Sequence, residues 1–161
     1  MTRSTKTAVS LAGIVIGAMV ASLITYYVGE NFGQSIVAGA ANKLKLDDWI
    51  YAYKGLINIM TFIIMIIALA YYVTLRFMSK ISYPNDGAKR MFWAVFLVII
   101  LVFSLVFPYV YAVIEDDFIN GLNISVLFVL VYGILYFWLG SILITPDAYK
   151  YAPIGATAVR K

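Results

Sequence analysis

Met91–Ile114 reads MFWAVFLVIILVFSLVFPYVYAVI. These 24 residues contain no Asp, Glu, Lys or Arg, and Ser104 is their only aliphatic hydroxyl. A hydrocarbon core of about 30 Å is crossed by about 20 helical residues, so the stretch is long enough to span a bilayer. Its apolar residues run continuously instead of alternating, which favours a helix over a barrel strand. In lipid a helix also satisfies every backbone N–H and C=O within the segment. Lys89 and Arg90 stand just before this run, and Glu115-Asp116-Asp117 just after it.

Three more stretches of the same kind flank it. The sequence predicts spans at 8–28, 48–79, 87–114 and 119–145, with a tail at 146–161. The whole 161-residue chain is 63% hydrophobic and 12% charged, about half the charged fraction of a typical soluble domain, roughly 25%. A soluble fold of this size has too little interior to hide that much apolar surface. The expected fold class is an all-α membrane protein with four transmembrane helices in a single polytopic domain.

The charges lie between the spans. With both termini in the cytoplasm, nine Lys and Arg face inward and three, Lys43, Lys45 and Lys54, face outward. The positive-inside rule favours that orientation, in the cell membrane. The net charge of +4 is then a topology signal, and nucleic acid is not an expected partner. The first span follows a basic start, but its apolar run of about 20 residues exceeds the 7–15 of a signal-peptide core. It reads as a retained signal-anchor helix.

Segment 33–46 has Ile36, Val37, Ala40, Ala41 and Leu44 at helical spacing. It is expected to form a short interfacial helix, or one packed on the outer ends of the spans. Asp47 is a candidate N-cap for the second helix. Trp49, Tyr51 and Tyr53 suit headgroup depth. Tyr83-Pro84-Asn85-Asp86-Gly87 marks a turn in which Asp86 can cap the third helix. Pro108 removes the donor for the Ser104 carbonyl, so a kink is expected there.

The chain has no Cys and no His. Disulfides, thiolate nucleophiles, haem with His ligation and His- or Cys-based zinc sites are therefore impossible within it. No acid or base sits centrally in any span. Proton relays and ion-coupled carriers nearly always keep such groups at depth. No catalytic residue, cofactor or metal ligand is expected. The acids at 115–117 invite comparison with a cation site formed with Asp47 and Asp48, but adjacent acids on one turn seldom converge; a solvated turn is the plainer reading.

Two sets of residues remain. Gly13, Gly17 and Ala21 are spaced four apart on the first helix, a small-residue face that lets another helix approach closely. Gly133 and Gly140 form a weaker second set on the fourth. Each set fits either a partner subunit or packing within this chain. Asn58 and Thr61 lie three apart near the outer end of the second helix and, with Ser104, are the intramembrane polar contacts, read first as interhelical glue. Tyr71, Tyr72, Tyr132 and Tyr136 lie deep enough to need polar partners.

Together these features predict a non-catalytic structural or accessory subunit of a multi-subunit integral membrane complex. Respiratory and membrane-oxidase or monooxygenase assemblies carry such subunits, an analogy rather than a deduction. Its partners would be membrane lipids and other membrane subunits, met through small-residue faces and terminal tails. The alternative is a small oligomeric transporter or channel for a neutral or lipidic substrate. A lipid-directed enzyme ranks last, since its chemistry would fall on interfacial acids and lysines.

Overall fold

The computed structural model describes residues 3–37, 46–78, 86–114, 122–145 and 153. Nearly all of them belong to four helices: α1 (Arg3–Val37), α2 (Leu46–Met78), α3 (Asp86–Ile114) and α4 (Leu122–Ile144). No strand occurs among the described residues. Each helix contains a span long and apolar enough to cross a membrane: Ala8–Phe32, Asp47–Leu75, Gly87–Ile114 and Ser125–Ile142. The chain is an all-helical, multi-pass membrane protein.

The helix ends carry their own explanations. α1 continues through Val37, so residues 33–37 prolong it and do not begin a separate interfacial helix. The remainder of that segment, 38–45, lies outside the described residues, as do the acidic turn 115–117 and all of the tail except Pro153. Asp47 falls inside the first turn of α2, beside Asp48, and not ahead of it. Both acids therefore favour the helix through its N-terminal dipole. α3 passes through Pro108 and continues to Ile114, so the missing donor does not end it. α4 stops at Ile144, because Pro146 disfavours helical backbone at the residue before it. The Thr145 N–H still donates to the Ser141 carbonyl at 3.0 Å.

The helices run up and down in turn. Here the proximal end carries the N-terminus and the distal end carries the α1–α2 connection. α2 and α4 touch each other; α1 and α3 each pack against both of them, on opposite flanks. The cross-section is thus a rhombus whose short diagonal is filled. α2 supplies about as many buried apolar side chains as the other three helices together, including Leu56, Ile57, Met60, Ile64 and Leu75. Lipid tails are as apolar as these side chains, so their association rests on close packing and interhelical hydrogen bonds, not on exclusion of water.

Close packing is most evident at two glycines. At Gly29 of α1, a Cβ would fall on the ring of Tyr53. Tyr53 is fully buried, stacked on Trp49 at 5.2 Å between centroids, and donates to the Thr25 carbonyl at 3.3 Å. At Gly55 of α2, a Cβ would meet the Tyr111 hydroxyl from α3. Near Gly29, Lys54 meets Glu30 at 3.5 Å, with both side chains partly exposed. Such a pair is worth about 0–1 kcal/mol, so the ring-into-glycine contact dominates this end.

The proximal end is tied by hydroxyls. The Trp93 indole N–H donates to Ser141 Oγ at 2.8 Å, and Ser141 Oγ–H donates to the Trp138 carbonyl at 2.9 Å. The Tyr71 and Thr145 hydroxyls share a hydrogen bond of 3.1 Å, and Thr145 also donates to the Ser141 carbonyl. Tyr71 is ringed by Phe96 and Phe137 in edge-on contacts of 5.3 and 5.4 Å. α2, α3 and α4 are joined here without a charge.

Gly29→Ala is expected to lower stability by about 1–3 kcal/mol, the range for overpacking a filled site. Gly13→Ala, where a Cβ meets nothing within 4 Å, should leave stability unchanged or slightly raised. Thermal unfolding of both variants in one detergent checks the contrast.

Candidate functional site

α1 and α4 pack against each other but leave a gap beside their contact. Between them lies an apolar groove of about 820 Å³, with Ala68 of α2 contributing to its lining. Along α1 it extends from Val9 to Val28, about 28 Å at the helical rise of 1.5 Å per residue. That length matches the whole hydrocarbon thickness. Val20 and Ile24 on α1, and Leu135 and Leu139 on α4, expose about half of their surface along it. Near the distal end Phe128 lines it and packs against Phe32 with ring centroids 6.0 Å apart.

The small residues expected to form packing faces separate into two groups here. Gly13, Gly17, Ala21 and Gly140 all line the groove. A Cβ on Gly13 or Gly140 would meet nothing within 4 Å, and one on Gly17 would touch the Tyr136 ring at an ordinary 3.4 Å. No contact within the described chain requires Gly13 or Gly140 to be small. Gly133 differs. A Cβ there would come within 2.8 Å of Ser104 Oγ and 3.1 Å of Ile100 Cγ2. Gly133 is small so that α3 can approach α4. The two glycines of α4 lie seven residues apart on nearly the same face, but they serve different neighbours.

The polar residues also separate. Thr61 accepts a hydrogen bond from the Tyr132 hydroxyl at 2.9 Å, joining α2 to α4 as interhelical glue. Tyr136 donates to the Ile14 carbonyl of α1 at 2.5 Å. With Tyr71 bound to Thr145, three deep tyrosines hold identified partners inside the bundle. Ser104 is fully buried, and its Oγ has no hydrogen-bond partner among the described residues. Asn58 is exposed on the outside of α2 and does not join Thr61 in a common contact.

The polar side chains beside the groove are largely committed elsewhere. Thr25 donates to the Ala21 carbonyl at 2.8 Å, Tyr132 and Tyr136 bond as above, and Ser141 lies between Trp93 and Trp138. The groove therefore offers shape and dispersion contact in place of hydrogen bonding. No group of three or more His, Cys, Asp or Glu side chains that could hold a metal occurs among the described residues.

Sequence reasoning did not single out Gly29 and Gly55, the two glycines most tightly filled by tyrosine, nor the Trp93–Ser141 and Tyr71–Thr145 pairs. Ser141 and Thr145, four apart at the end of the last helix, carried a readable signal, since hydroxyls at that spacing share one helix face. The tyrosine-into-glycine contacts left none, because each joins residues on different helices.

These features define a four-helix membrane protein with a lateral apolar groove about as long as a hydrocarbon core is thick. The chain matches no protein-family model, no curated protein and no solved structure.

Ser104→Ala removes a buried hydroxyl that no described residue satisfies, a change that is near neutral or stabilising. It should leave the unfolding midpoint unchanged or raised. Tyr132→Phe should lower stability by about 0.6 kcal/mol, the average for an interhelical hydrogen bond in a membrane protein. Equilibrium unfolding in mixed micelles resolves the difference in sign.

Proposed function

We propose that this chain is a non-catalytic structural subunit of a larger assembly in the cell membrane, with both termini on the cytoplasmic side, and that the α1–α4 groove receives a transmembrane helix of another subunit. The observation that carries this reading is the pair of open glycines. Gly13 and Gly140 face the same groove, and among the described residues neither has a neighbour that needs it small. Small residues at a helix interface gain from backbone approach, and no described residue of the chain makes that approach here.

Depth supports the same occupant. The groove runs from Val9 to Val28 and so crosses both leaflets, as a transmembrane helix does; one acyl chain reaches through a single leaflet. The lack of Cys and His and of ionisable side chains at mid-span leaves little for this chain to catalyse. Its contribution would be to position neighbours. Respiratory and membrane-oxidase or monooxygenase assemblies are the kind of complex proposed, by analogy of subunit type alone.

The alternative, an oligomeric transporter or channel for a neutral or lipidic substrate, gains less from the geometry. α2 and α4 pack directly on each other. Among the residues available for a polar stripe, Thr61 is engaged by Tyr132, Ser104 is sealed, and Asn58 faces outward.

Gly13→Leu and Gly140→Leu each place a bulky side chain in the groove, at positions where a Cβ meets nothing within 4 Å. Both variants should fold with unchanged helicity and lose a stoichiometric membrane partner on purification in mild detergent. A partner retained by both, or a wild-type chain that purifies alone and mediates flux in vesicles, would overturn the proposal.

A further inference from the structure

α2 turns one face away from the bundle. Tyr51, Asn58, Phe62, Ile66 and Val73 follow one another at intervals of seven, four, four and seven residues, which places them in a single stripe. All five are exposed: Tyr51 by 79%, Phe62 by 59%, Ile66 by 48% and Val73 by 46%, with Asn58 in the same class. The stripe lies across α2 from the buried Ile57, Ile64 and Leu75, and none of its members is charged.

Asn58 is out of place on such a face. It lies four residues beyond Lys54, about 6 Å deeper along the helix, and one turn before Phe62 and two before Ile66. Its amide has two donors and an acceptor oxygen. Hydrocarbon satisfies none of them, and leaving such a group unpaired is costly. No described residue of the chain bonds to it.

We propose that the α2 stripe is the contact face of a homodimer, in which Asn58 pairs with Asn58 of a second copy across a two-fold axis along the membrane normal. Two physical arguments select a second copy over other occupants. The first is chemical. A carboxamide is its own complement, so two facing amides exchange N–H···O bonds with no third group. The second is positional. In a membrane a polar partner must lie at the same depth, and a two-fold axis along the normal places identical residues opposite one another at equal depth. Such an interface is self-complementary by symmetry. Phe62 and Ile66 then pack against their own counterparts below the amide pair. The like-charged Asp47 and Asp48 stand at the start of the helix, toward water, where screening weakens their mutual repulsion. This dimer does not rest on the accessory-subunit reading. It uses a different face, and it forms from the purified chain alone.

The absence of native Cys makes the test direct. The full-length chain carrying Phe62→Cys is oxidised in membranes, with Val95→Cys on the exposed side of α3 as the comparison. Phe62→Cys should give a band at twice the 18.0 kDa chain mass, and Val95→Cys should not. Asn58→Leu should raise the dimer dissociation constant by on the order of tenfold, from the strength of polar pairs between model membrane helices. Asn58→Gln, which keeps the amide, should restore most of the affinity. Circular dichroism confirms that each variant keeps its helices, as expected for an outward-facing position. A monomeric wild-type chain, equal cross-linking at Phe62 and Val95, or a dimer indifferent to Asn58→Leu would overturn the proposal.

Discussion

Hydrocarbon neither gives nor accepts hydrogen bonds, and every part of this molecule answers to that constraint. It forces the apolar runs into helices, because only a helix pairs its own backbone groups within one segment. It also removes the driving force that assembles soluble bundles, since leaving lipid for a helix surface gains little. What remains is contact at close range. Side chains are therefore large where a glycine faces them, as at Tyr53 over Gly29 and Tyr111 over Gly55. Hydroxyls are paired where helices cross, as at Tyr132 with Thr61. α2 does most of this work. It touches the other three helices and holds the largest share of the interior.

The same constraint separates the places where the chain is finished from those where it is not. At the proximal end Trp93, Ser141, Tyr71 and Thr145 form hydrogen bonds within the bundle. Beside the α1–α4 contact an apolar groove stays open, with glycines on both sides. On the outside of α2 an amide faces lipid. The last two features lie on different faces. One offers shape without polarity, and the other offers polarity on an apolar strip. The readings proposed for them accordingly take different neighbours.

The four spans were legible from composition and length alone, because lipid leaves one solution for a continuous apolar run of about 20 residues. Met91–Ile114 suffices to make the argument. The tyrosines at 71, 132 and 136 were legible as groups in need of partners, although the partners were not, since each lies on another helix. The packing glycines were half legible. Spacing identified Gly13, Gly17 and Ala21 as one face, but spacing is silent about what stands opposite. Gly133 and Gly140 share a face and meet different surroundings, a distinction that only helix crossing creates. Asn58 and Thr61 looked like a pair from their separation of three, yet one points into the bundle and the other out of it. The interfacial helix expected at 33–46 misjudged where α1 stops, because Gly33 and Gln34 weaken the apolar pattern without breaking the backbone.

The bond from Tyr136 to the Ile14 carbonyl joins residues 122 positions apart, whereas that from Tyr53 to the Thr25 carbonyl joins residues only 28 apart. Both hold α1, one near each end. During synthesis the distal half of α1 can settle as soon as α2 is inserted. The Tyr136 bond to its proximal half forms only once the last helix has been made. α1 is thus seated in two stages, like a zip closing from its distal end.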